Sequence, residues 1–203
     1  MSKITIGIEN RISFSTLELA LLAMIDGKAT SEYFHQLAET ENVGKNRAVK
    51  TVKMLNRLTN RNLLLPYMME HKEDVRRMLQ RKEDQPLLFV ALLSGAYTFA
   101  FDTISILGKN FHAQPLLTRD LLQRKLSEKY GSSRALYIGV GSMMPMLLDA
   151  GFVKRPRIGF YEMSRQQGYS EEARKLYQQS FKVNSPSSIE NDVENNTYFE
   201  FIK

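Results

Sequence analysis

The spacing of apolar and polar residues changes period several times along the chain, and each change marks a boundary. "KITIGI" (3–8) alternates at period two and predicts a short strand. "STLELALLAMIDG" then moves to helical spacing. Ser15 with Glu18 three residues on has the capping-box form, and Gly27 stands where a helix stops. Thr30 or Ser31 caps the next helix, "SEYFHQLAETE", with Glu32 in its first turn. "NVGKN" reads as a turn, and a further helix runs from about Asn46 to Asn62. Three helices joined by short connections have the form of a helix-turn-helix unit.

The middle of the chain is more apolar. "LLLPYMMEHKEDVRRMLQRKEDQ" is helical, with Pro66 tolerated at its start. From Gln85 to Phe101 no residue is charged, and a helix from about Pro86 to Leu107 is expected to form the core on which the rest packs. That uncharged run sits at the lower edge of a membrane span, but Asp102 interrupts it and Ser94, Gly95, Tyr97 and Thr98 lie inside, so a buried helix is expected. "GKNFHAQP" reads as a loop.

Next, "LTRDLLQRKLSEKYG" is an amphipathic helix capped by Thr118 and ended by Gly131. "SSRALYIGVGSMMPMLLDAG" follows, with Ser132 or Ser133 as cap, Gly151 as stop and Pro145 expected to kink or restart it. "FVKRP" and "RIGFYEMS" are strand candidates around Arg155-Pro156. Helix, helix, hairpin is the order of a winged helix. A helix capped by Ser170 and a polar tail complete the chain, and "TYFEFIK" alternates like a returning strand. The expected fold is mainly α with a small β component, built as helix-turn-helix and winged-helix-like lobes around a buried central helix. The lobes divide as 1–64, a central helical core over 65–112, a winged-helix-like lobe over 113–165, and a C-terminal helix and tail over 166–203.

One helix carries an unusual charge pattern. "GKNRAVKTVKMLNRLTNR" (44–61) holds Lys45, Arg47, Lys50, Lys53, Arg57 and Arg61 and no acid. At about 100° per residue, the last five fall within an arc of roughly 120°. Ala48, Val49, Val52 and Leu55 take the opposite side as a packing stripe. Solvated helix faces usually mix signs, because like charges a turn apart cost a few tenths of a kcal/mol. A phosphate backbone offsets that cost through counterion release. Asn46, Thr51 and Asn60 add neutral donors for phosphates or base edges. A solvated or protein-facing surface remains the alternative for this helix. A second basic cluster, Lys154, Arg155 and Arg157, lies at the expected hairpin tip, where arginine suits a minor groove.

Composition narrows the classes. The chain of 203 residues carries a formal charge of +6. Residues 1–183 hold 27 basic against 18 acidic residues, because Glu190, Asp192, Glu194 and Glu200 gather near the C-terminus. A basic body favours polyanionic partners. The absence of cysteine removes disulfides, thiolate catalysis and Cys-ligated zinc, and suits a reducing cytosol. The three histidines (His35, His71, His112) lack ligand spacing. "GVGSMM" is a lone Gly-x-Gly, and no P-loop, HExxH or Gly-x-Ser-x-Gly occurs. No enzyme activity, cofactor, metal or membrane span is expected, and a cytoplasmic location is.

The layout resembles the BrxA family, the small first component of BREX (bacteriophage exclusion) defence systems. The stretches that carry the resemblance are "LELALLAMIDGKATSEYFHQLAETENVGKNRAVKTVKMLNRLTNR", "QPLLFVALLSGAYTFAFDTI" and "LLTRDLLQRKLSEKYGSSRALYIGVGSMMPMLLDAGFV". The resemblance implies a mostly helical, non-enzymatic, double-stranded-DNA-binding accessory with a helix-turn-helix N-terminus, working beside protein partners of a defence complex. The strand-like N-terminus and the extended polar C-terminus depart from that pattern. Two alternatives stand beside it: a winged-helix transcription regulator, and an adaptor whose basic face docks on an acidic protein.

Overall fold

The computed structural model describes residues 5–41, 44–186 and 195–203. Asn42 and Val43 of the expected turn, and the tail acids Glu190, Asp192 and Glu194, lie outside that set. Helix α1 (Phe14–Ile25) is capped two residues before the expected position: the hydroxyl of Ser13 accepts the Thr16 N–H at 3.2 Å. The reciprocal half of the cap comes from elsewhere in the chain. Glu41, at the end of α2 (Ser31–Glu41), accepts the Ser13 N–H, so Glu18 is not part of a capping box. α2 is capped as expected by Thr30, which accepts the Tyr33 N–H at 3.2 Å. α3 (Lys45–Leu58) ends earlier than expected because the hydroxyl of Thr59 donates back to the Leu55 carbonyl and the backbone leaves helical geometry. Residues 5–8 form no strand. Gly7 has φ +72°, which breaks a ladder, while Ile6 and Ile8 are both buried.

After α4 (Leu65–Glu70) and α5 (Lys72–Gln80), the expected single core helix is two helices, α6 (Gln85–Ala96) and α7 (Thr98–Ala113). Tyr97 between them is extended (φ −137°, ψ 115°). Such a break leaves carbonyls of the last turn open. The Leu63 N–H donates to the Gly95 carbonyl at 3.2 Å, and Arg57 Nε donates to that of Ala96 at 2.8 Å. The break is thus sustained by groups more than thirty residues away. α7 also absorbs most of the segment expected as a loop. Residues 87–96 of α6 are all buried, as a core element requires.

α7 is followed by β1 (Leu116–Thr118), α8 (Arg119–Tyr130), α9 (Arg134–Asp149), β2 (Val153–Arg157) and β3 (Phe160–Met163). The strands form an antiparallel sheet in the order β1-β3-β2, with Leu117 opposite Tyr161 and Val153 opposite Met163. This is the element order of a winged helix. Ser133 caps α9, accepting the Leu136 N–H, and Pro145 lies inside α9 without dividing it. The hairpin turns at Ile158-Gly159 and not at Arg155-Pro156, because β2 is an edge strand and tolerates a residue without an N–H.

α10 (Glu171–Asn184), capped by Ser170, packs along α6. The terminal alternating run is a 3₁₀ segment, Thr197–Ile202, and not a strand. A strand would split its aromatics between two faces. The tighter turn buries Tyr198, Phe199 and Phe201 together, against α7 and α10. One hydrophobic cluster joins Ile6 at one end of the chain to Phe201 at the other. Among the described residues no helix is long and apolar enough to cross a membrane.

Candidate nucleic-acid interface

Helix α3 turns its packing face differently from expectation. Ala48, Thr51, Met54, Leu55 and Leu58 are buried, Val52 is half-buried, and Val49 is 45% exposed. Thr51, expected as a donor to nucleic acid, is fully buried and accepts from Asn10 Nδ2 at 2.9 Å. The segment after Ile8 reaches α3 at this point, and a short hydroxyl fits beneath it where a valine offers no partner. Asn60 remains exposed, donating to the Ala29 carbonyl and to Asn56 Oδ1.

Lys45, Arg47, Lys50, Lys53 and Arg57 are exposed on α3, and Arg61 is exposed in the turn beyond its end. The helical arc therefore does not extend to Arg61. These cations are not equivalent. Lys50 Nζ lies 3.4 Å from Glu9 Oε2. Besides its bond to the Ala96 carbonyl, Arg57 holds its guanidinium 4.8 Å from the centroid of the Tyr97 ring. Among the described residues, Lys53 has no ion-pair partner.

The cation row borders two clefts that share Lys53 and Arg57. The larger, about 780 Å³, brings Lys50, Lys53 and Arg57 together with Ile6, Tyr97 and Ile138. The smaller, about 500 Å³, runs past Asn56, Arg61 and Leu63 to Asn184. Tyr97 is almost fully buried, and burial pushes its hydroxyl above the ordinary range. Tyr130, at the end of α8, donates its hydroxyl to Asp102, which Lys129 also meets at 2.6 Å. Burial and this carboxylate push the Tyr130 pKa up. Both phenols are therefore neutral.

On the hairpin, Lys154, Arg155 and Arg157 are all exposed. Lys154 sits opposite Glu162 in the ladder, and the Arg157 guanidinium lies 3.7 Å from the centroid of the Phe160 ring. The Arg119 N–H, at the head of α8, donates to the Gly159 carbonyl at 2.9 Å and sets another arginine at the base of the turn. Ile158 at the tip is 91% exposed.

Sequence reasoning placed Tyr97 in the core and did not single out Glu9, Tyr130 or Ile138. The structure brings all four to one cleft with the basic helix. No local signal marks them, since they come from four separate segments. Among the described residues no three His, Asp or Glu side chains converge as metal donors. Comparison with protein-family models, curated proteins and solved structures finds no match to this chain.

Proposed function

We propose that the protein binds duplex DNA through phosphate contacts with little base preference, as a non-enzymatic accessory of a BREX-type bacterial defence system. The observation that carries the DNA reading is α3. It exposes Lys45, Arg47, Lys50, Lys53 and Arg57 with no acid of its own among them, and Arg61 extends the row. The exposed Lys154, Arg155 and Arg157 form a second anchor on the hairpin. Lys and Arg without base-shaped partners favour backbone contact over base reading. The defence assignment rests on the resemblance to the BrxA family, and a gene neighbourhood holding a large ATPase and a methyltransferase is its check.

Five phosphate contacts correspond to a log K against log salt slope of roughly −4 to −5. The triple variant Lys45→Ala, Arg47→Ala, Lys50→Ala should weaken all duplex sequences alike and flatten that slope by about three units. Unchanged binding by this variant would remove α3 from the interface. The winged-helix order of α8, α9 and the hairpin favours a second reading, a sequence-specific regulator. Titration with random competitor DNA separates the two, since a regulator retains one operator against excess competitor.

A further inference from the structure

The larger cleft is concave, and its size matters. At about 780 Å³ it falls within the range of small-molecule sites, roughly 300–1,000 Å³. A duplex does not enter a cavity of this size, whereas a single nucleotide does. Its lining comes from α3, the segment before α1, the α6–α7 break, the end of α8 and the start of α9. Ile138 and the half-buried Tyr130 offer accessible apolar and aromatic surface, over a floor of the buried Ile6, Ile8, Met54 and Tyr97. Lys53 and Arg57 supply positive charge beside them.

Two of these groups are held in place before any ligand arrives. Arg57 is fixed by the Ala96 carbonyl and the Tyr97 ring. That ring is held in turn by Gly7, where an added Cβ would lie 3.1 Å from two ring carbons. A pre-oriented guanidinium next to a lysine suits a phosphate. An aromatic and aliphatic slot beside it suits a nucleobase, as in sites that accept an unstacked base. Glu9 at the same cleft offers an acceptor for an exocyclic amine. A purely apolar ligand would leave Lys53 and Arg57 unused, and a bare anion would leave the apolar lining uncovered.

We infer that this cleft binds one nucleotide unit, its phosphate at Lys53 and Arg57 and its base among Ile6, Tyr97 and Ile138. The nucleotide comes either free or as an unpaired residue of DNA. Only the DNA source rests on the function proposed above.

Calorimetry with deoxyadenosine monophosphate, deoxyadenosine and inorganic phosphate tests the free source. Fluorescence anisotropy with a perfect duplex and a duplex carrying one bulged adenosine tests the DNA source. The expected result is nucleotide binding at least about tenfold tighter than either fragment, or an equal preference for the bulged over the perfect duplex. Ile138→Trp fills the cleft from a position 39% exposed, so the fold should accept it, and circular dichroism checks that. This variant, and Lys53→Met independently, should cut the nucleotide or bulge preference at least about tenfold. Ile138→Trp should leave perfect-duplex affinity unchanged. Lys45→Ala with Arg47→Ala, outside the cleft, should lose duplex affinity and keep the nucleotide, which separates failure of one reading from failure of the other. Phosphate binding as well as the nucleotide, with no preference for the bulged duplex, overturns the inference. So does undiminished binding by both cleft variants, or the absence of both nucleotide binding and bulge preference.

Discussion

At the scale of single residues, Arg57 has the widest reach. It carries charge on the basic face, closes the end of α6 through the Ala96 carbonyl, and lies over Tyr97. Arg57→Lys keeps the charge and loses the fixed Nε donor and the stacked plane. A net hydrogen bond contributes about 0.5–1.5 kcal/mol and an exposed cation–π contact about 0.5–1 kcal/mol. Urea denaturation should therefore show a loss of about 1–2 kcal/mol, with the salt slope of duplex binding retained. Gly108 shows the opposite limit, a position with no room at all. A Cβ there would fall 1.9 Å from the Thr197 carbonyl oxygen, which is backbone and does not rotate away. Gly108→Ala should cost at least about 3 kcal/mol, read from the denaturation midpoint. The helical arc shows where Arg57 points. It does not show the carbonyl and ring that Arg57 meets, because Ala96 and Tyr97 lie some forty residues further on.

At the scale of elements, α3 was legible in its charge and less so in its packing. The basic residues are exposed where the arc puts them, up to the end of the helix. The helical arc places Val49 inward, but the buried face is set by what approaches it, and Asn10 approaches Thr51. The break at Tyr97 and the three-residue strand β1 also escaped. The first is stabilised by distant donors, and the second is too short to show a period. The caps at Thr30, Thr118, Ser133 and Ser170 were readable because each acts within three residues. Glu9 gives this element a test. Its carboxylate meets Lys50 at 3.4 Å with both side chains well exposed, so Glu9→Gln should change stability by less than about 1 kcal/mol. It should strengthen duplex binding several-fold at low salt and steepen the salt slope by up to about one unit, measured by anisotropy across a salt series.

At the scale of the whole molecule, four tyrosines set the alkaline limit. Burial raises the pKa of Tyr97, Tyr130, Tyr177 and Tyr198 above the ordinary value near 10. The unfolded chain releases these protons near pH 10 while the folded chain retains them. Their contribution is therefore complete below that pH and is lost as pH rises toward the folded values. Each such group lowers stability by about 1.4 kcal/mol per pH unit above 10. Phenolate absorbance should rise for these residues together with loss of helix in circular dichroism, in one transition. The same core makes the C-terminal segment indispensable. Tyr198 donates to Ser94 at 2.9 Å and accepts the Tyr177 hydroxyl at its carbonyl, with Phe199 and Phe201 buried beside it. Loss of one buried aromatic costs about 3–5 kcal/mol, so deleting residues 195–203 should abolish cooperative unfolding in urea. The mainly helical architecture with its small sheet was legible from periodicity. The role of this segment was not, because alternation over six residues does not distinguish a strand from a tight aromatic turn.

One of the two outer strands of the small sheet carries one more consequence. β2 is an edge, and an edge offers unpaired N–H and carbonyl groups on which a second chain can nucleate. Here that edge holds Pro156, which has no N–H to offer, between Lys154, Arg155 and Arg157, whose charges repel an identical strand. Whatever else these residues contact, they oppose growth of the sheet at the β2 edge. Replacing Pro156 and Arg155 with valine should give a chain that forms β-rich aggregates on concentration where the parent does not, visible by light scattering, while a fresh dilute sample keeps its helical spectrum.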